Sequence, residues 1–362
     1  MGFLDRLKNR NTPPPRNKAQ REGSARADAN IEPMPEPDPF FLPVEDRNLT
    51  PSGLYPHEVL LLDQAPSFYT DQPEFPAFWR QRYGILNMPI SLKLLMGRGF
   101  LDTASLESAL EATTVVTLRS VLKSYGLPVS GKKAELIARL LEEVPRERLN
   151  LHFSRRNFTL TKAGIQARKE AMHIPYIHRF PVEGLSIWSM HRLVLKNPDT
   201  PYRSLVLSYL EKRSKQYLDG GHYTAYRALR YRMYQFFMEE NKLKKAFPFL
   251  AETIYCDLSG AMSDFDPLYR YISEKYFFPY EHSSLRLSIG VIRAMGRLKT
   301  DLHLTEEMLG VLLMQFFKQF SLPVHLFTPE ECAAIVILEL RGDRDRLRQV
   351  YKLAETRFGK RH

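Results

Sequence analysis

The sequence predicts a mainly α-helical protein built from several units. A chain of 362 residues is long for one domain and comfortable for two or three. Its 44% apolar and 26% charged residues are typical of a globular protein. Beyond residue 200, apolar side chains recur with a helical period. We predict a helical module at 51–145, a basic connecting segment with a wing-like step at 146–199, and an α-helical hairpin domain at 200–362.

Residues 11–50 are rich in proline and poor in aliphatic side chains. Such a stretch cannot bury enough apolar surface to offset its ordering entropy, so we expect 1–50 to be a disordered N-terminal arm and linker. At its start, Phe3, Leu4 and Leu7 would share one side of a short helix. Two interpretations stay open there, a frayed turn and an amphipathic contact with a partner or a membrane surface.

Four helices are predicted between residues 54 and 112. Pro56 suits the first turn of a helix that carries 59–62. The second includes Trp79, the third begins near Pro89, and the fourth covers 106–110.

The C-terminal part is predicted to be entirely helical, with Gly220-Gly221 and Asn241 as breaks and Thr305 and Thr328 as N-caps. The predicted helices cover 205–219, 223–240, 243–256, 267–276, 285–298, 306–320, 329–339 and 344–358. Residues 223–254 resemble one tetratricopeptide-type helix pair, with an ordinary helical hairpin as the alternative. The arginines and tyrosines of 226–234 are too many to face inward, so we expect an exposed Arg/Tyr surface there.

Residues 114–142 carry the most specific pattern of the chain. Thr114 is a suitable N-cap for a helix with Leu118 and Leu122 on its inner side. Gly126 suits a left-handed helix end, and Pro128 biases its neighbour towards extended backbone. We expect Ser130 to cap a second helix and Gly131 to open it, with Lys132, Lys133 and Arg139 outside.

The string GL-x-x-SGKK-x-x-LI-x-RL within this segment resembles the SAP motif, a helix–extended turn–helix module of DNA- and chromatin-associated proteins. Tyr125 departs from the family, which usually has a basic or polar residue there. The resemblance implies contacts of a helix N-terminus and of lysines with a phosphate backbone, which position a protein without reading sequence. An ordinary helical hairpin, or a SAP-like fold used for protein contacts, is the alternative.

The predicted partner is nucleic acid, with double-stranded DNA as the first choice. The net charge of +11 hides an uneven distribution, because residues 31–75 carry −8 and residues 146–245 carry +12. Phe158-Thr159-Leu160 reads as a short strand that Thr161 connects to a basic helix. The candidate nucleic-acid-binding residues are Arg119, Lys123, Ser130, Gly131, Lys132, Lys133, Arg139, Arg155 and Arg156.

The sequence contains no pattern typical of an enzyme, a metal site or a cofactor site. Cys256 and Cys332 lie far apart, and His173 and His178 are interpreted as loop histidines. No apolar run is long enough to span a bilayer, and two cysteines in 362 residues suit a reducing cytoplasm. Since no catalytic pattern is present either, we expect a cytoplasmic, non-enzymatic protein. A scaffold that binds a protein partner through 200–362 is the second hypothesis, and a nuclease is the third.

A looser resemblance to bacterial SAP-domain-containing proteins, a type often found on phages and mobile elements, extends beyond the motif. It rests on the segments 78–85 and 187–199. It carries no activity with it.

Overall fold

A computed structural model describes residues 48–261, 277–322 and 324–359 of the chain. These residues form seventeen α-helices and one pair of short strands, which confirms the predicted mainly α-helical class. The predicted arm, up to residue 47, and the predicted helix at 267–276 lie outside the described residues.

The elements of the first half are α1 (Pro56–Gln64), α2 (Phe78–Tyr83), α3 (Met88–Gly97), β1 (Leu101–Thr103), α4 (Leu106–Ala112), α5 (Val115–Ser124), α6 (Lys133–Glu143), α7 (Arg146–His152), β2 (Phe158–Leu160), α8 (Lys162–Glu170), α9 (His173–Arg179) and α10 (Ile187–Lys196). Those of the second half are α11 (Tyr202–Asp219), α12 (Tyr223–Glu239), α13 (Leu243–Ser259), α14 (Ile289–Asp301), α15 (Glu306–Gln319), α16 (Pro329–Arg341) and α17 (Arg344–Gly359).

The buried side chains form two separate clusters. The small cluster lies within 106–153, which we call the inserted module, and holds Leu118, Leu122, Leu136 and Leu140 with no exposed surface. The large cluster runs from Leu54 to α17 and contains all other buried apolar side chains except Ala104. The part of the chain that supplies the large cluster is called the main body.

The inserted module is attached to the main body through two antiparallel strands. Leu101 faces Leu160 and Thr103 faces Phe158, so the chain enters and leaves the module side by side. On the other edge of β2, the Phe158 N–H donates to the Phe68 carbonyl at 3.1 Å, and the Thr70 N–H donates to the Arg156 carbonyl at 2.8 Å. The strand that leaves the module is therefore paired on both sides.

Helix α1 is the centre of the N-terminal part of the main body. All of its residues from 56 to 62 are buried, and it contacts α3, α8, α9 and α10. A helix that is buried all round needs other elements on every side. The predicted connecting segment supplies three of these elements, because α8, α9 and α10 pack against α1. The predicted strand at 158–160 and the Thr161 N-cap are confirmed, since Thr161 Oγ accepts from the Gly164 N–H at 3.1 Å.

The interpretation of His173 and His178 as loop histidines was wrong, because both lie in α9. Nε2 of His173 lies 3.0 Å from Nδ1 of His191 on α10, with the two rings stacked. Burial lowers the pKa of His173 to about 3 and also lowers the pKa of His191, so burial favours the uncharged form of this pair, which is a polar contact inside the core.

The C-terminal helices agree closely with the sequence prediction. Asn241 has a φ of 53° between α12 and α13, and Thr305 and Thr328 accept from backbone N–H groups at 3.1 and 3.2 Å. Two starts differ from the prediction, since the helix predicted from 205 begins at Tyr202 and the helix predicted from 285 begins at Ile289. Ser288 is its N-cap and accepts from the Val291 N–H at 3.3 Å. A capping hydroxyl sets the first turn of the helix, whereas apolar periodicity alone does not.

The separate core of the inserted module predicts that it can unfold without the main body. Leu122→Ala should remove about 2–5 kcal/mol of packing, more than a core of this size can lose. We expect the amides of 106–153 to lose hydrogen-exchange protection, while those of 202–259 keep it. Val116→Ala, at a position with 77% exposure, is the control and should leave both regions protected. Equal loss of protection in both regions for Leu122→Ala would contradict two separate cores.

Candidate nucleic-acid interface

Helix α5 ends in a Schellman motif that sets the direction of the following turn. Gly126 has a φ of 70°, and its N–H donates to the Lys123 carbonyl at 3.0 Å. The Leu127 N–H donates to the Leu122 carbonyl at 2.9 Å. Glycine adopts this left-handed conformation without a steric penalty. The predicted left-handed end is confirmed, and so is the Thr114 N-cap, which accepts from the Thr117 N–H at 3.3 Å.

The second helix of the motif begins two residues later than predicted. Lys132 is its N-cap, and Ser130 and Gly131 still belong to the turn. Gly131 has a φ of 121°, which a helix cannot contain, and a Cβ at this position would lie 2.5 Å from the Glu135 carboxylate. That carboxylate accepts from the Lys132 N–H at 3.2 Å. Ser130 is therefore not the cap, and a side chain of α6 itself satisfies one amide at the helix start.

Lys133 and Arg139, which were predicted to face solvent, instead donate hydrogen bonds within the module. The Arg139 guanidinium donates to the Pro128 carbonyl at 2.5 Å and to the Ser130 carbonyl at 3.1 Å. Nζ of Lys133 donates to the Glu111 carbonyl in the last turn of α4. Both side chains are half-buried. Arg139 holds the extended turn onto α6, and Lys133 stabilises the carbonyl end of α4.

Three predicted cations stay exposed and unpaired within the described ranges, namely Arg119, Lys123 and Lys132. Arg119 and Lys123 lie four residues apart on one exposed face of α5, about 100° round the helix from the buried Leu118 and Leu122. Lys132 comes directly after the turn that Arg139 holds onto α6. These three side chains can therefore approach an anion without first breaking an internal contact.

The two remaining predicted cations lie at the attachment of the module to the main body. Nε of Arg155 pairs with the Asp71 carboxylate at 3.1 Å, and its guanidinium lies 3.8 Å from the centroid of the Tyr69 ring. Arg156 donates to the Asn150 side chain at 2.7 Å. The structure thus places these arginines between the module and residues 69–71, apart from the exposed cations of α5.

Helix α7, which the sequence analysis did not predict, completes the module. The Tyr125 hydroxyl lies 3.1 Å from Nε2 of His152, and the two rings meet edge to face. Tyr125 therefore packs against α7 at the position where the SAP motif usually has a basic or polar residue. Helix α7 also carries Arg148, an exposed cation without a partner in the described chain. The helical spacing of Leu149 and Phe153 was the available signal.

The predicted exposed Arg/Tyr surface of α12 was wrong. Tyr226 and Tyr234 are buried, and Arg227, Arg230 and Arg232 are half-buried. Each arginine meets a carboxylate, and the pairs are Arg227 with Asp257 at 2.7 Å, Arg230 with Glu252, and Arg232 with Glu239 at 3.0 Å. The acidic partners lie on α12 and α13, so these charges are paired within the helical hairpin and are not available to an external partner.

The same pairing offsets much of the +12 charge of residues 146–245. Nine of their twenty basic side chains form ion pairs with carboxylates among the described residues. Several of the acids lie outside the segment, such as Asp63, which both Arg168 and Arg179 approach at 3.7 Å. A charge total along the chain therefore overstates the charge that this segment presents to a partner.

The model of the SAP domain family matches residues 110–144. The chain carries a SAP domain. No curated protein and no solved structure matches the chain. The match covers α5, the turn that follows it and α6, together with the end of α4. The SAP domain is a nucleic-acid-binding module, which supports a nucleic-acid-binding role for this protein.

The described residues hold no group of three or more histidine, cysteine or acidic side chains that could bind a metal ion. None of the helices in the described ranges combines the length and apolar character needed to cross a membrane.

The bonds of Arg139 predict that it sets the shape of the SAP turn. Arg139→Ala removes two charge-assisted hydrogen bonds, so the hydrogen-bonded amides at the two ends of the turn, those of Leu127 and Lys132, should exchange at least about tenfold faster. Arg119→Ala removes the same charge from the same domain without breaking an internal contact, and it should leave these amides unchanged. Equal exchange rates in the Arg139→Ala variant and the unmodified protein would show that the turn holds its shape without Arg139.

Proposed function

We propose that this protein binds double-stranded DNA through phosphate contacts of its SAP domain and is not an enzyme. The observation that carries the proposal is the set of three exposed, unpaired cations on that domain, Arg119, Lys123 and Lys132. Phosphate contacts of this kind fix a protein on the backbone and do not read the bases. Binding should therefore depend on salt and discriminate weakly between sequences.

Side chains, rather than the start of α6, are proposed to carry the phosphate contacts. The Glu135 carboxylate already accepts from the Lys132 N–H at the helix start, so an incoming phosphate would meet a negative charge there. The exposed cations of α5 have no such competitor, since no carboxylate of the described residues pairs with them. Arg119 offers a planar fork for two phosphate oxygens, whereas Lys123 and Lys132 act as point charges.

The wider assignments form part of the same proposal. A cytoplasmic protein of bacterial or phage type agrees with the looser resemblance along 78–85 and 187–199. A protein partner for residues 200–362 is the second candidate function, with a tetratricopeptide-like helix pair at 223–254. The observation that favours a protein contact is an apolar groove lined by α15, α16 and α17, outside that pair.

The proposed contacts predict a specific change in the salt dependence of DNA binding. Replacing Arg119, Lys123 and Lys132 by alanine should lower the slope of log K against log salt by about 2.7, or 0.9 for each lost contact. These contacts alone should account for an affinity loss of about 40-fold between 50 and 200 mM salt. Fluorescence anisotropy with a labelled duplex and a labelled single strand measures the slope.

A matched control separates local contacts from total charge. Lys196, Lys212 and Lys215 are exposed lysines of the main body, and their triple alanine variant loses the same charge. We expect this variant to keep the slope of the unmodified protein. A loss of slope that is equal in both variants would mean that binding follows net charge and not the SAP domain. Tighter binding of the single strand would overturn the assignment to duplex DNA.

A further inference from the structure

A cluster of aromatic rings surrounds helix α2, and one of these rings is exposed. Trp79 and Tyr83 are buried, with 1% and 2% of their surface exposed, whereas Phe78 is 38% exposed. The centroid of the Tyr83 ring also lies 5.9 Å from that of Trp188 on α10. The two segments of the looser resemblance to SAP-domain-containing proteins therefore meet in this cluster.

Phe78 presents one side of its ring to solvent. Its ring centroid lies 4.9 Å from that of Trp79 and 6.1 Å from that of His178, at interplanar angles of 30° and 26°. The centroids of Trp79 and His178 lie only 6.4 Å from each other, so both rings contact Phe78 from the same side. The exposed side of Phe78 is therefore held in place to stack against another flat ring.

Two arginines flank the exposed ring. Arg82 lies one helical turn after Phe78, is exposed, and pairs with no carboxylate among the described residues. Arg179 follows His178 directly on α9, and its side chain is 61% exposed. Burial lowers the pKa of His178, and the charges of Arg82 and Arg179 lower it further, which places both guanidinium groups near the histidine ring.

The neighbouring carboxylates leave this surface with a positive charge. Asp63 on α1 lies 3.7 Å from both Arg168 and Arg179, and its side chain is 9% exposed. One carboxylate thus offsets two arginines. The exposed Glu74 lies in the chain before α2 and forms no ion pair with the described residues. Together with Arg82 the charges still sum to a positive value, so the surface attracts an anionic partner.

We propose that this surface binds an unpaired stretch of DNA by stacking a base on Phe78. An aromatic side chain stacks with every base, and arginines beside it hold the phosphate backbone. A base inside a duplex already has neighbours on both of its faces, so an unpaired base is the suitable occupant. The choice of DNA rests on the proposed function, whereas the single-stranded partner goes beyond it.

The surface lies beside the attachment of the inserted module. The Phe68 carbonyl accepts from the Phe158 N–H of β2, and the Phe68 ring meets that of Trp79 edge to face at 6.1 Å. Trp79 in turn contacts Phe78. Two ring contacts therefore connect Phe78 to the strand that leaves the module. A duplex held by the SAP domain keeps its own single-stranded tail at a high local concentration near Phe78.

Binding of tailed duplexes tests the proposal. A labelled blunt duplex is compared with the same duplex carrying a tail of about eight thymidines, or of as many abasic nucleotides with the same charge, at its 3′ or 5′ end. At least one thymidine tail should tighten binding about fivefold or more over its abasic counterpart. Equal affinities for thymidine and abasic tails at both ends would overturn the proposal.

The blunt duplex separates this proposal from the proposed function. A gain from the thymidine tail without binding of the blunt duplex would contradict duplex binding by the SAP domain and support the single-stranded surface. Binding of the blunt duplex without any gain from the thymidine tail would have the opposite meaning.

Variants of α2 and its neighbourhood test whether Phe78 is responsible. Phe78→Ala should remove the advantage of the thymidine tail and leave blunt-duplex binding unchanged, whereas Phe78→Tyr keeps an aromatic ring and should keep the advantage. Leu86→Ala, the control, removes an apolar side chain with 51% exposure and should also keep it. A thymidine advantage that survives in Phe78→Ala would sink the assignment to this ring.

A crosslink in the unmodified protein gives the same answer without any variant. Iodouracil in the tail reacts with an adjacent aromatic ring under ultraviolet light, and mass spectrometry should map the adduct to Phe78. A principal adduct at any other position would count against the proposed surface.

Discussion

The pairing of β1 with β2 is the constraint on which the arrangement of this protein depends. It brings the two ends of residues 105–156 side by side. The SAP domain is therefore inserted into the main body through two neighbouring connections. Pairing of β2 with residues 68–70 then fixes the second strand against the main body. Because the inserted module has its own core of leucines, its surface cations do not depend on the packing of the helices around α1. Arg155 and Arg156, at the attachment, are engaged by Asp71 and Asn150, whereas Arg119, Lys123 and Lys132 have no carboxylate partner among the described residues.

Ion pairing within the fold changes the meaning of the net charge. Basic side chains of residues 146–245 meet carboxylates that lie far away along the chain, such as Asp63, Asp257 and Glu252. An arginine in a buried or half-buried pair of this kind does not readily bind an external phosphate, because it would have to leave its carboxylate without a partner. The SAP domain has fewer unpaired cations, but no carboxylate of the described residues competes for them. A few exposed cations on a defined module are therefore the better candidates for nucleic-acid contact than a long basic segment.

Much of the fold could be predicted because its signals are local. Apolar periodicity, Thr305 and Thr328 as caps, and Gly126 as a helix end all act within a few residues, and the structure confirms them. Most of the predictions that were wrong concern partners distant in sequence, whereas the cap predicted at Ser130 and the helix start predicted at 285 were local errors. His173 meets His191 in the core, and the arginines of α12 meet acids of α13, which no pattern of nearby residues reveals. The roles of Lys133 and Arg139 in binding the backbone carbonyls of α4 and of the turn were hidden for the same reason.

Amide hydrogen exchange of the full-length chain, with and without a DNA duplex at low salt, tests the central claim most directly. The account predicts that bound DNA slows exchange in residues 114–139, which contain α5, the turn and most of α6. It predicts no change in the paired helices α12 and α13. Protection centred on 202–259 with none in 114–139 would contradict the assignment of DNA binding to the SAP domain.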